Sequence, residues 1–172
     1  RAIKRGERLS LVVPGDGIKG TNKARISVRS QPHLNFESRL QGLVHYPYGC
    51  IEQTVSAAFP QLYLKDLVEL PTAERRRIEA AVDAHINTAI HNLRRFQLQD
   101  GSFAFWPGSG QPSTWGGLYA GHFLLEARDL GFHVPAELLD RWTNHQRSQA
   151  LMTRDPLVVR IYRAYLLALG DQ

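Results

Sequence analysis

Val55, Ala58, Phe59, Leu62, Leu64 and Leu67 recur at the spacing that places side chains on one face of a helix. They predict a helix over 50–69, kinked or interrupted by Pro60, which has no amide hydrogen and crowds the preceding turn. A second stripe, Ile78, Val82, Ile86, Ile90 and Leu93, follows Pro71 and Thr72 and predicts a helix over 72–98. The loop QDGSFAFWPGSGQPST separates it from a helix expected over 115–130, and the next helix opens with Pro135 in its first turn. The last is expected to take Asp155 as N-cap, Pro156 as first helical residue and Gly170 as its stop. Its stripe of Leu157, Ile161, Tyr165 and Leu169 is amphipathic rather than apolar all round.

The start of the chain has a different texture. RLSLVV (8–13) and ARISVRS (24–30) alternate or run apolar as strands do, with the glycine-rich PGDGIKGTNK between them. Gly15, Gly17 and Gly20 match a dinucleotide-binding fingerprint formally. That motif needs a helix N-terminus after it, and a strand pattern follows here, so a hairpin loop is the better reading. The predicted fold class is mainly α, paired antiparallel helices joined by short loops, preceded by a short β segment.

The 172 residues suit one domain, and an apolar fraction of 43% is enough to bury a core. The net charge of +5 is interspersed with carboxylates; Arg75-Arg76-Arg77 reads as a solvated helix face, and no basic stretch interleaved with aromatics suggests a nucleic-acid partner. No run of apolar residues is long enough to span a membrane. The chain opens on Arg1 and shows no signal peptide, which reads as a piece excised from a longer protein. A single cysteine excludes a disulfide framework and a cysteine-rich zinc site, and neither a metal nor a cofactor is expected.

That cysteine, Cys50, lies in HYPYGCIEQTVSAAF, with Gln53 three positions on. Taken alone, a lone cysteine reads as a small buried hydrophobe, or, with any of seven histidines as spatial partner, as a nucleophile. The spacing alters the balance, because one turn of helix brings both side chains to the same face. Attack of the thiol on the carboxamide, with loss of ammonia, would make an internal thioester, an electrophile built from two ordinary side chains. Gly49 would let the backbone take a conformation closed to other residues, and Tyr46, Pro47 and Tyr48 could cover the bond.

Tyr46 to Gln53, YPYGCIEQ, resembles the thioester motif of the alpha-2-macroglobulin and complement family in its bacterial form, and Thr54-Val55-Ser56 and FPQLYL continue in the same manner. LQDGSFAFWPG is similar to the repeat loops of that family's thioester domain, an α/α toroid of helical hairpins. The resemblance implies that residues 1–35 are a β segment from the preceding CUB-like domain. Residues 36–172 would be the N-terminal part of the helical thioester domain, a partial toroid. A half toroid with an exposed apolar face would favour self-association. It implies a broad-spectrum protease inhibitor, a single-use covalent trap rather than an enzyme, in which the Gln53 carbonyl acylates a lysine of the attacking protease. It further implies a periplasmic parent, lipid-anchored to the inner membrane, sometimes alongside a penicillin-binding protein.

By the same resemblance Cys50 and Gln53 form the thioester, Tyr46 shields it, and Glu52 has a structural role, holding the turn. For Tyr48 shielding and plain core packing stand level. Phe103, Phe105, Trp106 and Trp115 form either a hydrophobic lid or the packing of the loop, packing being the better reading for Phe103 and Trp115. Several animal members carry a histidine in the corresponding loop that takes over the acyl group; FAFWPGSGQPST has none. Direct attack by amines is therefore expected, with His122, between Leu118 and Leu125 in a helix, a satisfied core residue. Two rivals stand beside this reading. An α/α-toroid enzyme of the terpene cyclase or prenyltransferase type shares the Q-x-x-D-G-S-F pattern but needs an acidic motif or zinc ligands absent here. A structural helical domain with an inert cysteine is the other.

Overall fold

The computed structural model describes residues 6–10, 12, 44, 46–47, 49–64, 72–152 and 154–171. The chain divides into two units, Arg1–Leu34 and Asn35–Gln172. In the first, the described residues carry a turn at Gly6 and no regular element. The rest of the strands expected over 8–13 and 24–30, and the glycine-rich segment between them, lie outside the described residues.

The second unit is helical: α1 (Ile51–Ala58), a 3₁₀ turn (Phe59–Tyr63), α2 (Thr72–Leu93), α3 (Thr114–Asp129), α4 (Ala136–Ala150) and α5 (Leu157–Gly170). Among the described residues there is no strand, only the isolated bridges Gln97–Phe103 and Ala104–Pro112. None of these helices is long and apolar enough to cross a membrane.

The boundaries follow from where backbone donors and acceptors go. Pro60 cannot donate to the carbonyl four residues back, and the chain tightens into the 3₁₀ turn instead of continuing α1. Buried Gln61 stitches the break: its amide donates to the Ala57 carbonyl at 2.8 Å and its oxygen meets His85 Nδ1 of α2 at 3.1 Å. Helix α2 stops at Leu93, short of the expected 98, because the Phe96 carbonyl accepts from Ala104 (2.8 Å) and Leu98 donates to Ser102 (2.9 Å). Ser113 caps α3, accepting from the Gly116 amide at 3.2 Å.

Two expectations are corrected at helix starts. Pro135 and Pro156 are N-caps rather than first-turn residues, with extended ψ values of 124° and 147°. Asp155 therefore does not cap α5; its carboxylate pairs with Arg163 at 2.7 Å.

Helix α3 is buried almost all round, from Gly116 to Ala127, which makes it the central element; α1, α4 and α5 pack on it. A Cβ at Gly121 would fall inside the indole ring of Trp142, so glycine is what allows α4 to approach this closely. The Trp142 ring is fully buried and its Nε1 donates to the Gly117 carbonyl at 2.9 Å, which removes the penalty of burying that polar atom. Val82, Ile86, Ile90 and Leu93 of α2 are buried as their stripe predicts. The α5 stripe behaves differently: Leu157, Ile161 and Tyr165 are exposed, and the packed face carries Arg163 and Leu166 with Val159, Tyr162 and Leu169 partly buried beside them.

Candidate functional site

Gly49 has φ of +110°, in a region that side chains rarely adopt, and it sets Cys50 in an extended conformation as the N-cap of α1. Gln53 is the third helical residue. Its side chain folds back over the helix start, and its Oε1 accepts from the Cys50 amide at 3.0 Å, closing a capping box between the two residues. The space this fold occupies exists only beside glycine. A Cβ at position 49 would collide with Gln53 Oε1 and stand 3.0 Å from its Cδ. The two residues thus meet through geometry confined to five consecutive positions, Gly49 to Gln53.

Cys50 is buried, 6% exposed, whereas Gln53 is exposed. Both line an open depression of about 490 Å³, together with Glu52, Ser56, Phe105 and Trp106. The two aromatics come from the loop between α2 and α3. That loop is tied to the helix start by the Ile51 amide, which donates to the Phe105 carbonyl at 3.1 Å, and the rings meet edge to face at 5.7 Å. Trp106 therefore sits at the Cys50–Gln53 pair. Phe103 is fully buried, and Trp115 packs on Tyr162 at 5.5 Å, away from the depression.

Tyr46 is half exposed and sets its ring edge against His85 of α2, 6.2 Å between centroids; it is not among the residues lining the depression. Tyr48 lies outside the described residues. The neighbouring Pro47 is buried, and its carbonyl accepts from Asn92 at 3.4 Å. Glu52 makes no side-chain hydrogen bond or ion pair among the described residues, and the helix start is held by the Cys50 amide on Gln53 instead. Ser56 had not been singled out as a site residue. Its position one helical turn beyond Glu52 and Gln53 is the signal that places it on the same face.

The family model of the A-macroglobulin TED domain matches residues 26–150. The chain belongs to the A-macroglobulin TED domain family. It is 31% identical over 150 residues to alpha-2-macroglobulin of Escherichia coli K12, covering 81% of this chain and 9% of the relative, so it spans about a tenth of that protein's length. Its fold is similar to that of E. coli alpha-2-macroglobulin activated by porcine elastase, with a TM-score of 0.57 and 30% identity over 73% of this chain and 12% of that one. Salmonella alpha-2-macroglobulin reacted with methylamine gives a TM-score of 0.60 and 29% identity over 82% of this chain and 10% of that one. The mainly helical class read from the sequence is that of the toroid-like TED domain.

The aromatic-bearing loop of this TED domain is fastened from below. Asp100 accepts from the Ser102 amide (3.0 Å) and hydroxyl (2.6 Å), and these bonds, the hydroxyl first, hold its carboxyl below the usual range. Arg141 of α4 donates to the carbonyls of Leu98 (2.7 Å) and Gln99 (3.0 Å), and Gln97 donates to Leu138 at 2.9 Å. Rigid backbone on one side of the loop positions Phe105 and Trp106 on the other.

His122 is not among the described residues that line the depression. Its Nδ1 meets the Tyr162 hydroxyl at 2.9 Å, its Nε2 lies 3.4 Å from Glu126, and Phe59 presses edge-on at 4.9 Å. Glu126 also accepts from the Tyr63 hydroxyl at 2.5 Å, so one carboxylate joins the 3₁₀ turn to α3. Burial lowers the imidazole pKa from its ordinary 6.5, with Glu126 opposing. The unfolded chain then binds this proton more readily than the folded one, and stability falls on acidification. The contribution is fully present above pH 6.5 and is lost as pH falls through the folded value. Melting temperature measured across this range should decline below pH 6.5 in the wild type, and His122→Gln should flatten that limb. The Asp100 contribution is lost in a separate window, below its ordinary 3.8.

Proposed function

We propose that this chain is the thioester-bearing part of a protease trap. The observation that carries the reading is the Gln53 carboxamide folded back onto the Cys50 amide in space that only glycine at position 49 leaves open. Cys50 Sγ attacks Gln53 Cδ, the carbon–nitrogen bond breaks, ammonia leaves, and a carbon–sulfur bond remains. A carboxamide is a poor acyl donor and a thioester a reactive one, so the bond stores an electrophile until a nucleophile reaches it. A lysine of the attacking protease then takes the acyl group and frees the thiol. The reaction is used once, which makes the protein an inhibitor rather than a catalyst. The elastase-activated and methylamine-reacted relatives support this reading.

The loop that lines the depression carries no histidine, and direct aminolysis without an acyl-imidazole follows; transfer to methylamine should far exceed transfer to glycerol. The family resemblance assigns shielding of the bond to Tyr46, which would have to turn from His85 to reach it. The parent is periplasmic and lipid-anchored, and a penicillin-binding protein is a candidate neighbour there.

The test is an intact mass of the full-length protein with a free-thiol titration. The expected result is a mass short by one ammonia, no titratable thiol, and a single methylamine adduct that releases Cys50. A full-length protein with the unmodified mass and a free Cys50 would overturn the reading in favour of an inert cysteine.

A further inference from the structure

Of the six described residues around the depression, Glu52 is the one that carries a charge. It is the residue before Gln53, in the first turn of α1, partly exposed, and no described residue neutralises or hydrogen-bonds its carboxylate. A carboxylate left free beside an acyl donor suits a cationic nucleophile. Lysine carries a proton at neutral pH, with an ordinary pKa of about 10.4, and is not a nucleophile until it loses it. The rest of the described lining, apart from Ser56 and Gln53, is aromatic or thiol and offers that proton no other anionic acceptor.

We propose that Glu52 receives the attacking ammonium and takes its proton during aminolysis, an inference that rests on the thioester reading above. The ammonium docks on the Glu52 carboxylate and passes it one proton. The nitrogen lone pair forms a bond to Gln53 Cδ while the Cδ–Sγ bond breaks with its electron pair going to Cys50. The second proton leaves the nitrogen for Sγ, giving an amide and a free thiol, and Glu52 returns its proton to water. An acidic residue in a first turn also complements the helix dipole, but that role alone would leave the aminolysis rate unchanged.

The test uses full-length protein and Glu52→Gln, each first weighed for the missing ammonia. Thiol release is then timed with methylamine, which is cationic at neutral pH, and with hydroxylamine, which is largely uncharged there. The expected result is roughly 100-fold slower release with methylamine in the variant, the lower end of what positioned proton transfer contributes, and little change with hydroxylamine. Equal slowing with both, or no slowing with either, overturns the role of Glu52 and leaves the thioester intact. A wild type without the ammonia deficit overturns the thioester reading itself, and this proposal with it. If Glu52→Gln fails to form the bond, Glu52→Asp is timed in its place, with methylamine slowed less than 100-fold and hydroxylamine unchanged. Failure of both variants to form it assigns the carboxylate to building the thioester and overturns its role in aminolysis.

Discussion

Replacing Gly49 by alanine in the full-length protein should leave Cys50 titratable from the moment of purification and the mass equal to that of the unmodified sequence. Two effects combine. The backbone at φ of +110° is open to glycine and strained for alanine, by about 1–3 kcal/mol. The added methyl would also collide with Gln53 Oε1 and approach its Cδ to 3.0 Å, so the carboxamide must leave the position in which it accepts from the Cys50 amide. Strain alone lowers stability, whereas displacement of the acyl carbon abolishes bond formation. Gly108 separates the two, because it has φ of +75° but nothing within 4 Å of an added Cβ. Gly108→Ala should be destabilised and still show the ammonia deficit. Retention of that deficit in Gly49→Ala would mean that the observed carboxamide position is not the one from which the bond forms.

Arg163→Ala should lower stability by about 3 kcal/mol, the low end of the range for removing one partner of a buried ion pair, because Asp155 keeps 27% of its side chain exposed to water. Arg163 is 2% exposed; its Nε donates to buried Gln146 at 3.0 Å and its Nη2 pairs with Asp155 at 2.7 Å, while Nη1 is buried with no hydrogen-bond partner among the described residues. This group joins α4, α5 and the connection between them. Its removal leaves the Gln146 carbonyl and the Asp155 carboxylate unpaired and opens a cavity between the helices. At 2–4 °C per kcal/mol for a domain of this size, the melting temperature should fall by about 10 °C, read by circular dichroism. Arg163→Met with Gln146→Met and Asp155→Asn should recover most of the loss, since the unpaired carboxylate is then removed with the other polar partners and well-packed apolar groups often match a buried polar network. A shift of under about 2 °C for Arg163→Ala would show that the network contributes specificity rather than stability.

Helix boundaries divide by the range of the interactions that set them. The α2 stripe was legible because burial of Val82, Ile86, Ile90 and Leu93 follows from period alone. Pro60 was legible as a break, since its missing donor acts on its own turn. The end of α2 was not, because the carbonyl at Phe96 is taken by Ala104 across a loop. Asp155 was misplaced for a similar reason: a capping role is local, but a buried guanidinium two turns along α5 is the stronger partner.

The site divides in the same way. Cys50 and Gln53 could be paired from the sequence by itself, because an i,i+3 relation at a helix start is fixed by helix geometry, and Gly49 could be read as the residue that permits it. The helical class and the stripes of α2 also follow from local periodicity. Only the tertiary structure decided that Phe105 and Trp106 stand at the pair while Phe103 and Trp115 do not, and that Glu52 faces the depression with no partner among the described residues. It alone decided that α5 buries Arg163 and exposes Leu157, Ile161 and Tyr165. An amphipathic pattern states that a helix has two faces, but the neighbours that pack against it determine which face is covered.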